Sequence, residues 1–181
     1  MSVHAELSPS SAERWMTCPG SVALSKDIKD VGSSNANEGT MMHTISAKCL
    51  ETGRDAHSYV GILDEETGLI LKVDQAVHIQ TYVDYVRDVV ESTGGTLLVE
   101  QRLPIAWMTR EKGASGTADA IIITLDELIV IDAKFGFKPV DAEENKQLQM
   151  YAAAAFDELK IGYDFKSVRV VIVQPRIGSN K

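Results

Sequence analysis

The spacing of apolar positions along this chain changes several times, and each change marks an element. From Asp74 onward Val77, Tyr82, Val83, Val86, Val89 and Val90 recur at helical spacing. They predict a helix over residues 75–92, ended by Gly94-Gly95. The pattern then becomes strand-like over Thr96 to Leu103, Thr117 to Thr124 and Leu128 to Phe135. Leu125-Asp126-Glu127 is short enough to join the last two strands as a hairpin. Residues 142–159, rich in Ala, Gln, Leu and Glu, read as a helix. Val168 to Gln174, dominated by β-branched residues, reads as a last strand buried on both faces.

The first third of the chain is less regular. Ser8 offers a cap and Pro9 suits a first helical turn, while Ser10 with Glu13 offers an alternative capping box. That helix carries Trp15 and stops near Cys18-Pro19-Gly20. Residues 29–40 read as loop by composition. A second helix runs from Thr40 to Thr52, with Met42, Ile45 and Cys49 on one face and Gly53 as its stop. Residues 54–73 carry no clear period, and Leu63 to Leu69 reads as an exposed turn between short strands. The order predicts one α/β domain with a central mixed sheet flanked by helices. Its αβββαβ core spans residues 75–181, preceded by a helical and loop arm over residues 1–74.

Composition narrows the class. Of 181 residues, 44% are hydrophobic and 24% charged, which suits a packed core and argues against disorder. The net charge of -8 is opposite to that of a chain binding nucleic acid by charge alone. Nucleic-acid binding would need a local basic patch and metal ions over an acidic body. Cys18 and Cys49 are the only cysteines and form no CxxC pair, which excludes a structural zinc site of several cysteines. A reduced pair in an intracellular protein is expected, although a disulfide stays open. There is no basic and apolar leader, and no apolar run near ~18 residues, so neither a secretory signal nor a membrane span is expected.

Asp132 sits inside Leu128-Ile129-Val130-Ile131-Asp132-Ala133-Lys134, where a carboxylate is costly unless it is paired or ligates a metal. Asp119 follows Gly116-Thr117-Ala118, and the hairpin can bring both carboxylates to one edge of the sheet. Aspartates suit a hard divalent cation, and a lysine alongside can orient a water and offset phosphate charge. Glu100 could be a third carboxylate or a solvent-facing charge on an edge strand. His43 could be a metal ligand or simply an exposed helical histidine, whereas His4, His57 and His78 read as structural. Gln147 and Tyr151 share one helix face at i, i+4. The bland alternatives are a strand-ending Asp132, a surface Lys134, and a partly buried tyrosine beside a surface glutamine. Together, the ordered set reads as a metal-dependent phosphodiester-cleaving site.

Gly116-x-x-Asp119, Asp132-x-Lys134 and Gln147-x-x-x-Tyr151, preceded by Glu38-Gly39-Thr40-x-x-His43, resemble the PD-(D/E)XK nucleases, in particular their RecB-like exonuclease branch. The opening from Ser8 through Trp15-Met16-Thr17-Cys18-Pro19-Gly20-Ser21 is similar to phage and prophage proteins of that branch long grouped as a domain of unknown function. The resemblance covers most of the chain and implies a restriction-endonuclease-like core. It implies that His43, Asp119, Asp132 and the backbone carbonyl of Ala133 hold Mg²⁺ or Mn²⁺, with Glu100 on the metal or its water. Lys134 would then position the attacking water, and Gln147 and Tyr151 would contact the DNA backbone or brace the site. Arg102, Arg110, Lys112, Lys134, Lys138 and Lys146 are candidate phosphate contacts.

Some relatives carry an iron–sulfur cluster on four cysteines. Cys18 matches the first, but none follows residue 49, so no cluster is expected and Cys18 reads as a packed thiol. Trp107-Met108, in the loop before Asp119, could wedge or stack against a strand end, but ordinary packing is the favoured expectation for Trp107. The implied setting is the bacterial cytoplasm, with DNA as substrate in phage DNA recombination. A single-strand annealing or recombination protein and a homo-oligomer are the implied partners. Two competitors stand beside an exonuclease: a catalytically inactive nucleic-acid or protein-binding module on the same scaffold, and a structure-specific endonuclease such as a junction resolvase.

Overall fold

A computed structural model describes residues 5–26, 28, 34–177 and 179–180. Its centre is a mixed sheet of four main strands: β1 (Thr96–Pro104), β2 (Ser115–Ile123), β3 (Glu127–Ala133) and β4 (Ser167–Gln174). The two-residue β5 (Ser179–Asn180) pairs with the outer side of β4. β1, β2 and β3 are antiparallel in sequence order, and β4 lies parallel to β3. The parallel step needs a crossover, which α6 (Lys146–Leu159) provides. With α4 (Val73–Thr93) ahead of β1, the core has the expected αβββαβ order, interrupted by the four-residue α5 (Ala106–Thr109) between β1 and β2.

Helices cover both faces of the sheet. On one face α4 and α3 (Ser34–Thr52) bury Met41, Met42, Ile45, Ile79, Tyr82 and Val86 against Ala120, Ile122, Ile129 and Ile131. On the other, α6 buries Leu148, Tyr151 and Ala155 against Ile121, Leu128, Val130 and Ile172. Each fully buried aliphatic side chain contributes about 2 kcal/mol. This is why β3, covered on both faces, reads as a continuous apolar run. The short α1 (Ala12–Thr17) packs beside α6 by way of Ala12 and Trp15, and α2 (Gly20–Ser25) follows it. Among the described residues no helix is long and apolar enough to cross a membrane.

Several expectations shift. α3 begins at Ser34 instead of Thr40, so residues 34–39, expected as loop, are helical. Their stability comes from far away, because Glu38 pairs with Arg176 at the other end of the chain. Residues 29–33 and His4 lie outside the described residues. α2 falls where no element was expected. Ser8 does not cap through its side chain but bonds the hydroxyls of Ser10 and Ser11, and a 3₁₀ turn over Pro9–Ser11 precedes α1. Cys18 is exposed, not packed, because it sits at the junction of two short helices; both thiols are free.

In α4, Ile79 replaces the expected Val77 on the buried stripe, and Val77 is exposed. Leu63 and Ile70 form one isolated bridge in place of short strands. The turn is closed by Asp64, which accepts bonds from the Thr67 N–H and hydroxyl. β4 is buried only from Val171 onward, since its first residues project beyond the helices. α6 starts at Lys146, where Asn145 accepts the Leu148 N–H, so residues 142–145 precede the helix. Trp107 is exposed on α5 instead of packed in the core.

Candidate functional site

The site begins with a fault in the regular alternation of two strands. Residues of β1 and β2 pair with constant register on either side of Glu100 and Asp119, which stand directly opposite each other but do not join the ladder. Before this rung Leu98 and Ile121 face α6; beyond it Leu103 and Ala118 do. The even and odd positions have exchanged faces on both strands. Glu100 absorbs the change with φ of 48°, a left-handed conformation that is costly for a side chain with a Cβ. The exchange turns both carboxylates toward α3, where His43 waits.

His43 Nδ1 lies 3.1 Å from Asp119 Oδ1. Phe135 meets the imidazole edge-on with centroids 5.2 Å apart, and Tyr82 meets Phe135 at 6.2 Å, so the buried core fixes the histidine from below. His43, Glu100 and Asp119 each offer a ligand atom, all within 4.8 Å of one another. Like charges directly opposite on paired strands repel; a shared cation would remove that penalty.

Asp119 has a second task. The β2–β3 ladder ends at Ala120 and Ile131, so Asp119 and Asp132 occupy the next, unpaired rung. There Asp119 Oδ2 accepts the Ala133 N–H at 2.7 Å. Asp132 points toward α6 and is nearly sealed from solvent. Its Oδ2 lies 2.7 Å from Lys134 Nζ, an ion pair whose approach is not aligned as a hydrogen bond. Lys134 Nζ donates to Gln147 Oε1 at 2.8 Å, and Gln147 Nε2 reaches the Tyr151 hydroxyl at 3.4 Å. Asp132, Lys134, Gln147 and Tyr151 thus form one polar chain from β3 to α6. Gly116 makes room for it: a Cβ there would stand 2.8 Å from the Tyr151 ring and 2.6 Å from Pro9.

The electrostatics follow from burial and crowding. Loss of solvation and the charge of Asp119 push Glu100 up to about 7, against a smaller opposing pull from His43. Burial and Asp119 also raise Asp132, opposed by Lys134. Burial alone would lower His43, but the charge and hydrogen bond of Asp119, helped by Asp132, raise it overall. Tyr82 is raised well above its ordinary value by burial and by the three carboxylates, and its hydroxyl has no partner among the described residues. Burial raises Tyr151 as well.

Two clefts flank His43. The larger, about 680 Å³, is lined by Glu51, Glu66, Glu100 and Asp119, with Lys48 as its cation. The smaller, about 460 Å³, is lined by Ala133, Lys134, Phe137, Lys138 and Arg176. The expected residues therefore divide. His43, Glu100 and Asp119 converge in one ligand group, while Asp132 stands apart from it, bound to Lys134. Lys138 reaches the smaller cleft, and Arg102 bonds Ser115 Oγ across β1 and β2. Arg110 and Lys112 flank Glu111, whose carboxylate holds the N–H groups of Glu6 and Leu7. His57 and His78 stand outside the ligand group.

Sequence reasoning missed Tyr82, Phe135 and Phe137 as neighbours of the site. Tyr82 was visible only as one member of an apolar stripe. It also missed Arg176, which only the fold brings against Glu38. Residues 4–181 match the sequence model of a family described as "Protein of unknown function (DUF2800)".

Proposed function

The chain belongs to the DUF2800 family, and we propose that it is a metal-dependent DNA nuclease of the PD-(D/E)XK superfamily. Within that superfamily we place it in the RecB-like exonuclease branch, with a restriction-endonuclease-like core and a role in phage or prophage DNA processing. One observation carries the reading: His43, Glu100 and Asp119 gather ligand atoms within 4.8 Å around a strained rung. The Asp132–Lys134 pair stands at the end of the neighbouring strand β3, with Lys134 just past its last residue. The two carboxylates of the donor set suit a hard divalent cation such as Mg²⁺ or Mn²⁺, while the imidazole adds a ligand that transition metals take more readily than Mg²⁺.

When bound, such a cation makes water more acidic and draws off charge from a phosphodiester oxygen. The chain's own residues supply the rest. Asp132 and Gln147 hold the Lys134 ammonium in one place, so it needs little rearrangement as negative charge builds on the phosphate. Tyr151 braces Gln147. Phe135 keeps the imidazole of His43 in register with Asp119. Hydrolysis forms one bond from water oxygen to phosphorus and breaks one phosphorus–oxygen ester bond, the water proton ending on the departing oxygen.

The test is degradation of linear duplex DNA by the purified chain with Mg²⁺ or Mn²⁺. Asp119→Asn and Lys134→Met are expected to lower the rate at least a hundredfold. Equal activity in the parent and both variants overturns the site. Cleavage confined to branched substrates favours a structure-specific endonuclease, and binding without cleavage favours the inactive module.

A further inference from the structure

The smaller cleft holds an aromatic ring that nothing in the fold requires to be exposed. Phe137, two residues beyond the buried Phe135, is 70% exposed on the loop after β3. One face of its ring is occupied: the Arg176 guanidinium carbon lies 4.6 Å from the ring centroid. Arg176 is itself fixed, paired to Glu38 on α3 and donating to Met42 Sδ at 3.3 Å. With one face covered by a pinned cation, an exposure this large must come from the opposite face and the ring edge. The ring thus rests on a pinned cation and keeps one free side.

Its surroundings fit one nucleotide. The cleft of about 460 Å³ runs from Phe137 to His43, with Lys134 and Lys138 on the way. Lys134 belongs to the polar chain of the cleavage site, whereas Lys138 has no ion-pair partner among the described residues. Asn35, on the first turn of α3, supplies an amide at the same cleft. Apart from any cation held by Glu100 and Asp119, the larger cleft on the other side of His43 is the acidic one, with Glu51 and Glu66 against Lys48, whereas the smaller cleft carries Lys134, Lys138 and Arg176. A negatively charged strand passing His43 is therefore drawn toward the Phe137 side.

Resting on the nuclease reading above, we propose that Phe137, backed by Arg176, is a stacking site for an unpaired base beside the scissile phosphate, with Lys138 contacting the adjoining phosphate. An exposed ring can take the face of any base, so the site selects for a single-stranded or frayed end and not for sequence. A base inside a duplex is stacked on both faces and cannot use it.

The experiment uses Ca²⁺ in place of Mg²⁺, to allow binding without cleavage. Single-stranded oligonucleotides carry 2-aminopurine at each successive position from the end. The parent chain is expected to quench the probe at one position. Phe137→Ala should abolish that quenching and weaken single-strand binding about tenfold, the size of one lost base–aromatic stack. Phe137→Trp should retain both. The ring is exposed, so Phe137→Ala should melt at the parent temperature, which circular dichroism checks.

A parent chain that cleaves DNA in Mg²⁺, with Phe137→Ala unchanged in quenching and affinity, overturns the stacking site alone. A parent that neither binds nor cleaves DNA overturns the nuclease reading and the stacking site with it. Equal weakening by Phe137→Ala on blunt duplex and on single strands also overturns the selectivity for unpaired ends.

Discussion

The ammonium of Lys134, just past the end of β3, lies 2.7 Å from a carboxylate oxygen of Asp132, two residues back in the strand. Asp132 is almost sealed from water, while Lys134 is one-quarter exposed. Removing one partner of a buried pair strands the other charge, at a cost of about 3 kcal/mol. Lys134→Met should therefore lose about 3 kcal/mol of stability in urea unfolding at pH 8. The double variant with Asp132→Asn should recover at least half of that loss. An additive double variant would show that the pair is not coupled.

The ligand group around Glu100 and Asp119 predicts cation-dependent stability. Ligand present at 100 times its dissociation constant adds about 2.7 kcal/mol. Mn²⁺ titrated into the parent should raise the melting temperature by several degrees, and chelation should reverse the gain. Glu100→Gln removes one of two opposed charges, so it should melt higher than the parent in chelator and gain less from Mn²⁺. Identical Mn²⁺ responses in parent and variant would remove Glu100 from the group.

The same crowding fixes a pH dependence. Glu100 rises from 4.5 to about 7 in the folded protein, and Asp132 and His43 are raised too. For each group the folded state keeps protons that the unfolded state has released, so stability falls as pH rises through that interval. Glu38 and Asp55 are depressed, by Arg176 and Arg87 respectively, and their contribution is complete above their unfolded values of 4.5 and 3.8. A scan from pH 5 to 8 in chelator thus isolates the cluster and should show a falling melting temperature. Saturating Mn²⁺ should flatten the fall, because the cation replaces the retained protons. A melting temperature that climbs over this range in chelator would contradict the account.

Gly116 tests the brace behind Lys134. Its missing Cβ is the space in which the Tyr151 ring and Pro9 sit. Gly116→Ala should cost about 1–3 kcal/mol by overpacking. It should also lower cleavage beyond what the stability loss explains, since Tyr151 carries Gln147 and Gln147 carries Lys134. Full activity in a destabilised Gly116→Ala would separate the brace from the chemistry.

The sequence was informative wherever neighbours along the chain decide structure. Asp132 stood out because an acid within an apolar strand needs a reason, and the hairpin placing Asp119 near it follows from a three-residue gap. The rung at Glu100 and Asp119 was hidden, because two strands that exchange faces together still read as strands. Residues 34–39 look like loop until Arg176, at the far end of the chain, is brought against Glu38. Trp107 shows the opposite failure: an aromatic residue reads as core by type, and only the three-dimensional surroundings leave it outside.

The bond from the Ala133 amide to the Asp119 carboxylate acts as a clasp where two strands splay apart. Truncating Asp119 to alanine would open that fork as well as discard a charge, and any loss of turnover would then have two causes. Asparagine keeps an oxygen for the clasp, so it is the cleaner way to silence this position.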